Sequence, residues 1–319
     1  MGVDEQMNIA FFTEIDYDGK IPRNQDNMRT DTAWMCALDA MHHNISRLHT
    51  LPDNQYDLGV IIIPKDRRHI MEYPLIDNMK RVCKKISAMQ EAVLWYWQDS
   101  PVDEQVWYYN ALVSMDFLFV HNELDKNYFE GLTKKECVVL PSVIIEDGVK
   151  MADKKDKDVI IGGNFVSIYS GFDSMIVADE YSEDIWAPSM GRKKELEEQY
   201  IKHLPYVVWR EWIYELSRFK LGVFPTANVA AGQFSLNCSF VGIPCVGYES
   251  VDTQRILHPS LSVPHYHLNK ARALVKKLKE DEKFYNDCVE ETKMLYRAKY
   301  QESVFVKNMK KEIKKVLQK

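Results

Sequence analysis

No stretch of eighteen apolar residues occurs anywhere in the 319-residue chain, so the sequence contains no candidate membrane-spanning helix. Its N-terminus also lacks the basic-then-apolar plan of a secretory signal. Both absences predict a soluble, cytoplasmic protein. No CxxC pair is present: Cys36, Cys83, Cys137, Cys238, Cys245 and Cys288 are scattered, mostly in apolar runs. That pattern excludes a disulfide framework and a zinc knuckle, and predicts small buried thiols. Metal ligands at diagnostic spacing are missing too, so no protein-held metal is expected. Excess positive charge is absent, since 41 Lys and Arg face 47 Asp and Glu for a net charge of −6. A global field that would hold nucleic acid non-specifically is thereby ruled out, although a local basic face is not.

What the chain does have is apolar content: 46% of its residues are hydrophobic, enough for two cores of ordinary size. Short apolar runs alternate with helical patterns, which predicts parallel sheets. Strands are expected at Met7–Ile15, Asp57–Pro64, Ala92–Trp97, Phe117–Val120 and Val138–Leu140. Helices are expected through Ala33–Leu38 and near 74–88, where Leu75, Met79, Val82 and Ile86 share one face. The segment Glu146–Asp158 is rich in Lys and Asp and reads as a linker. The α/β pattern then restarts, with strands at 158–162, 184–188, 205–209, 221–224 and 243–247. Helices are expected at 170–178, 192–202, 211–218 and 230–241, and a charged helical region from Asn269 onward. The predicted domains are 1–150 and 151–319.

The stretch Asp158–Asp179 organises the second half. A β-branched strand runs into Gly162-Gly163-Asn164 and then into a helix. In doubly wound sheets ligands bind beyond the carboxyl ends of the strands, and free backbone N–H groups at such turns can face phosphate oxygens. In the first half, Asp99 follows the predicted strand Ala92–Trp97, where a carboxylate can take a proton from a hydroxyl. Its alternative role is to cap the next helix. His121, at a strand end, can face a sugar or be a satisfied structural histidine. Lys20, Arg23 and Arg29 on the long first loop can contact phosphates or be solvated.

Two α/β halves, a linker and a helical tail resemble the GT-B glycosyltransferases, in which two Rossmann-like domains face a cleft. The segment Gly242-Ile-Pro-Cys-Val-Gly resembles the close of the donor-binding helix in that fold. Four further blocks, in the same order, resemble the DNA β-glucosyltransferases of T-even phages. They are Val93–Asp99 followed by a proline, Asp158–Phe165, Trp209-Arg210-Glu211, and Asp252-Thr-Gln-Arg-Ile256. Asp31 falls where that family has a Glu at the head of the first helix.

The resemblance implies a nucleotide-sugar donor, with UDP favoured, held by Gly162, Gly163, Asn164, Arg210, Glu211, Asn237 and Arg255. It implies Asp99 as catalytic base, an inverting single displacement, and Lys20, Arg23, Arg29, Asp31 and His121 on the acceptor side. The implied acceptor is a 5-hydroxymethylated pyrimidine in double-stranded phage DNA, in the host cytoplasm. A loosely held Mg2+ on the diphosphate is compatible with this scheme. The chain departs from the family where phosphate-clamping arginines are expected, holding Val166 and Phe234 instead. Asn237 replaces a ribose-binding Glu. The retaining E-x7-E pair is replaced by Val229 and Asn237, which favours inversion. Three alternatives stay open: a GT-B enzyme acting on a glycan or small molecule, a non-catalytic nucleotide-sugar-binding protein, and another α/β enzyme such as a sugar-nucleotide epimerase.

Overall fold

A computed structural model describes residues 7–63, 68–71, 73–90, 93, 96–163, 165, 169–189 and 191–319. By packing, the chain divides into two compact units. The first holds the chain up to Gln25, Thr30–Ile145 and Phe305–Lys319; the second holds Asp26–Arg29 and Glu146–Val304.

In chain order the first unit contains β1 (Ile9–Thr13), β2 (Gly19–Lys20), α1 (Thr30–Leu38), β3 (Met41–Asn44), β4 (Tyr56–Ile61) and α2 (Arg68–Met71). These are followed by α3 (Leu75–Val82), β5 (Cys83–Met89), α4 (Val102–Val113), β6 (Phe117–Val120), α5 (Glu123–Thr133) and β7 (Cys137–Val139). The sheet order is β2-β3-β1-β4-β5-β6-β7, and only β2 runs antiparallel to its neighbour. Every residue of β1 is buried, as a central parallel strand covered on both faces must be. One face packs Ala10, Phe12 and Tyr56 against Leu75, Met79 and Val82 of α3. On α1, Trp34 is fully buried, meets Phe119 edge-on at 5.4 Å and donates its indole N–H to the Pro141 carbonyl.

The second unit contains β8 (Lys157–Ile161), α6 (Gly171–Ala178), β9 (Ile185–Ala187), β10 (Lys202–His203), α7 (Trp209–Leu216) and β11 (Phe219–Phe224). Then come α8 (Gln233–Val241), β12 (Cys245–Tyr248), α9 (Asp252–Leu257), β13 (Ser262–Val263), α10 (Leu268–Glu280), α11 (Glu282–Lys299) and α12 (Glu302–Leu317). From Phe305 onward α12 counts with the first unit. The strands of the second unit are all parallel, in the order β10-β9-β8-β11-β12-β13. Renumbered from one, that order is 3-2-1-4-5-6, the dinucleotide-binding Rossmann arrangement, whose ligand crevice opens where β8 and β11 diverge. One face of the sheet carries Val177, Ala271, Val275 and Leu278, and the other Leu216, Phe234 and Cys238.

Several expected elements are corrected. The helix near 74–88 ends at Val82, and Cys83–Met89 is a strand between β4 and β6. Val82 and Ile86 fit helical spacing, but two neighbouring strands supply Ile86 with partners that a helix would forgo. Of the strand expected at 92–97, residues 92, 94 and 95 lie outside the described residues, and Tyr96–Asp99 form a 3-10 turn. The charged helix at 192–202 shrinks to a 3-10 turn at Lys193–Glu197. No strand forms at 205–209; the short β10 precedes it and α7 begins at Trp209.

Candidate functional site

In sheets of this order ligands bind beyond the carboxyl ends of the strands, which here include β8, β11 and β12. Gly162 and Gly163 follow β8, as the sequence predicts, but packing accounts for both. A β-carbon on Gly162 would lie 2.5 Å from Phe224 Cγ and 2.7 Å from Phe234 Cδ1, while one on Gly163 would strike the Tyr169 carbonyl oxygen. Aromatic rings therefore press on this turn from inside the unit. Asn164 lies outside the described residues.

Helix α8 opens at this end through Gly232, whose φ of 64° is left-handed. A side chain at Gly232 would strike Thr253 Oγ1, and that hydroxyl donates to the Gly232 carbonyl at 2.7 Å. Ser235 and Thr253 share a further hydrogen bond of 2.8 Å, so α9 holds the first turn of α8 in place. Beneath it, the fully buried His258 contacts the Ser235 carbonyl and Thr292 Oγ1, and burial lowers its pKa to about 4. One turn further along α8, Asn237 is 4% exposed and its Oδ1 has no hydrogen-bond partner among the described residues. A buried amide oxygen without a donor invites one.

Helices α6, α7 and α8 all begin at this end, and none has a side-chain cap on its first turn. In the first unit α3 and α4 likewise have no side-chain cap, whereas Asn122 caps α5 by accepting from the Asp125 N–H at 2.7 Å. Uncapped first turns leave backbone N–H groups and the positive end of the helix dipole available to an anion.

The cations expected here are otherwise engaged. Arg210 donates to the Asp147 carbonyl and braces the turn at Gly148, while its own N–H donates to the Asp26 carbonyl at 3.1 Å. Arg255 is exposed and pairs within α9 with Asp252 at 2.9 Å. Glu211 is exposed on the first turn of α7. Arg29 counts with this unit and donates to Tyr206 Oη at 3.2 Å.

In the first unit, Asp99 does not end a strand. It closes the 3-10 turn between β5 and α4, with an exposed carboxylate. Gln105 holds that turn, donating to the Gln98 carbonyl at 2.9 Å and the Ser100 carbonyl at 2.7 Å. His121 does follow β6. Its Nδ1 donates to the Leu140 carbonyl at 2.8 Å, and Trp34 meets the ring edge-on at 5.5 Å. Burial lowers its pKa to about 4, so the ring is neutral at pH 7 and its unpartnered Nε2 is an acceptor. Asp31 lies in the first turn of α1 and accepts from the Thr32 N–H at 2.7 Å.

Lys20 is tied to Asp39 at 2.5 Å in the first unit, where Arg23 also counts, and Arg29 counts with the second. The sequence reading missed a polar cluster on β3. His42 Nε2 contacts Thr13 Oγ1 at 2.8 Å, and burial lowers the pKa of His42. His43 bridges Asp18 at 3.0 Å and Tyr56 Oη at 2.7 Å, and Arg47 pairs with the same Asp18. The signal was the adjacent pair His42-His43 just after α1, in a run too polar to read as a strand.

Two Rossmann-like sheets, the second in the order 3-2-1-4-5-6, and a helical tail make the fold GT-B. The chain superposes on Anabaena HepE bound to UDP-glucose with a TM-score of 0.68 and 9% identity, covering 97% of this chain and 100% of that one. Against sucrose-phosphate synthase from Thermosynechococcus elongatus the TM-score is 0.68 at 10% identity, with 98% and 99% covered. Against the pneumococcal O-GlcNAc transferase GtfA, bound to UDP and GlcNAc, it is 0.64 at 11% identity, with 88% and 62% covered. The chain thus spans about three fifths of GtfA, and a similar share of TarM from S. aureus. At these identities the shared property is the fold. No protein-family model and no curated protein sequence matches the chain.

Proposed function

We propose that this protein is a glycosyltransferase that moves a sugar from a nucleotide sugar, UDP-linked by preference, to an acceptor hydroxyl. The observation that carries this reading is the carboxyl end of the second unit's sheet, where α6 and α8 begin without a side-chain cap after the switch-point strands β8 and β11, and Oδ1 of Asn237 on α8 has no partner among the described residues. Backbone N–H groups would hold the diphosphate, and Asn237 would accept from a ribose hydroxyl. Gly162, Gly163 and Asn164 would border the phosphates, with Arg210, Glu211 and Arg255 toward the nucleotide. HepE and GtfA, which share the fold, were solved with UDP-glucose and with UDP respectively, which supports a UDP-sugar here.

Asp99 would take the acceptor proton while the acceptor oxygen bonds to the anomeric carbon and the nucleoside diphosphate departs with the electron pair of the broken bond. That is an inverting single displacement. Being neutral, His121 would accept a hydrogen bond from a sugar hydroxyl through Nε2. Among the described residues no group of three or more His, Cys, Asp and Glu is placed to hold a metal ion.

For the acceptor we favour a glycan or small glycoside. The carbohydrate enzymes sharing the fold support this choice. A 5-hydroxymethylpyrimidine in DNA is the second reading, resting on the four ordered sequence blocks. Turnover of a panel of UDP-sugars against simple glycosides, oligosaccharides, hydroxymethylcytosine DNA and unmodified DNA tests both. Product on the modified DNA alone selects the second reading, and UDP-sugar binding without turnover of any acceptor selects a non-catalytic binding protein.

A further inference from the structure

We propose that the carboxyl ends of β12 and β13 carry a subsite for an uncharged pyranose, built by Tyr248, Ser250, His265 and Tyr266. Tyr248 ends β12, is 1% exposed, and its Oη has no hydrogen-bond partner among the described residues. The Tyr266 N–H approaches that oxygen outside bonding geometry, and the phenol proton itself has no acceptor. Two residues on, in the turn before α9, the buried Oγ of Ser250 has no partner either. His265 follows β13 and stacks on the Tyr248 ring at 5.2 Å with the planes 19° apart. Its Nε2 is a third buried atom without a partner. Buried polar atoms are nearly always paired, so this group calls for a ligand that supplies the missing bonds.

The backbone of Tyr266 is a second, independent observation. The turn from Pro264 to His267 is closed by the His267 N–H, which donates to the Pro264 carbonyl at 3.0 Å. Its third residue, Tyr266, has a φ of 63°. Glycine or asparagine ordinarily fills a left-handed turn position, and a bulky side chain there is strained. The ring gains little burial in return. It is 74% exposed, set against His265 at 4.2 Å and edge-on to Tyr248 at 6.3 Å. Strain of this kind, kept for an exposed aromatic ring, gathers at ligand sites.

The chemistry selects a neutral sugar. Burial, and then the Asp173 carboxylate on the first turn of α6, push the Tyr248 phenol up to about 12, so at pH 7 it is an uncharged O–H. Hydroxyls both donate and accept, as those of a sugar do, and imidazole nitrogens do either. The exposed Tyr266 ring offers an apolar surface for the C–H face of a pyranose. None of the four residues is a Lys or Arg, and Asp173 disfavours a phosphate. Tyr248 shares its sheet face with Val177 of α6 and Ala271 of α10, whereas Phe234 and Cys238 set α8, and Asn237 with it, on the opposite face. The pyranose is either the sugar of a UDP-sugar or a free glycan, and only the first source rests on the transfer reaction proposed above.

Saturation-transfer NMR on the full chain tests the inference. The probes are UDP, maltotriose, and the UDP-linked forms and methyl glycosides of glucose, galactose and N-acetylglucosamine. At least one probe should show transfer to its pyranose C–H protons. Tyr248→Phe removes only the unpartnered hydroxyl, so it should weaken that probe about tenfold, the loss of one hydrogen bond, without lowering the melting temperature. Tyr266→Gly should weaken it at least as much, and relief of the left-handed strain should keep its melting temperature at or above the parent's. Affinity for UDP itself should be unchanged in both variants. Weakening of a UDP-sugar identifies the donor as the source, and weakening of a methyl glycoside or maltotriose identifies a free glycan. Sugar contact in a protein that ignores UDP would uphold the subsite and sink the nucleotide-sugar reading. UDP binding with no pyranose contact from any probe would do the reverse. Full retention by both variants, or an equal loss of UDP itself, would also overturn the subsite.

Discussion

The ring of Phe224 leaves no room for a side chain on Gly162: a β-carbon there would stand 2.5 Å from Phe224 Cγ. Two roles for this glycine, packing and ligand approach, make different predictions. Gly162→Ala should destabilise the protein by about 1–3 kcal/mol, the usual cost of overpacking. Phe234→Leu alone should also destabilise, but the double variant should recover part of the Gly162→Ala loss, because Phe234 Cδ1 is the next obstacle at 2.7 Å. Urea unfolding of the four proteins closes the cycle. Were Gly162 needed only for phosphate approach, UDP affinity would fall at unchanged stability.

Asn237 separates binding from stability in the opposite sense. Replacing a buried amide whose oxygen has no partner by an apolar group of similar shape is nearly neutral or stabilising. Asn237→Leu should therefore melt at or above the parent temperature and yet bind UDP about tenfold more weakly, the loss of one hydrogen bond. Calorimetric titration with UDP and a thermal melt measure both. Unchanged affinity would remove Asn237 from the site.

For Asp99, the exposed position in its 3-10 turn predicts little structural cost. Asp99→Asn should change stability by under about 0.5 kcal/mol. Transfer should drop by about 10²–10⁴, the worth of one general base, with UDP affinity retained. A variant keeping half the parent rate would end its assignment as the base.

His121 makes a pH-dependent contribution. Its pKa is about 4 folded against about 6.5 for an unperturbed histidine, lowered chiefly by burial. Between those values the unfolded chain takes up a proton that the folded chain refuses. Stability is therefore fully present above pH 6.5 and declines as pH falls toward 4, by about 3 kcal/mol in all. His258 behaves alike in the second unit. His121→Gln should flatten the first unit's share of this decline. Denaturant unfolding at pH 7 and pH 5 measures it, and an unaltered pH dependence would show that His121 takes up its proton as readily in the folded chain as in the unfolded one.

Residues whose local pattern and burial agree were legible in the sequence alone. The β-branched run at Val159–Ile161, the apolar strand Phe117–Val120, the Gly162-Gly163 turn and His121 at a strand end all follow from periodicity and turn chemistry. Parallel alternation and the restart after the linker led to the two-sheet GT-B plan. Only tertiary structure decided the rest. Met41-His-His-Asn44 is a strand because β1 and β2 pair with it, and no periodicity announces that. Cys83–Met89 left the helix for the sheet because two neighbouring strands satisfy its backbone. The arginines were legible as residue types, but not their partners. Arg210 finds a carbonyl 63 positions away, Arg255 finds a carboxylate in its own helix, and Lys20 and Arg29 count with different units. Local spacing sets which face of an element is apolar. Which distant group satisfies a charge depends on how the chain closes its loops, and in this chain that distance, not the residue type, determines whether a cation is available to a ligand.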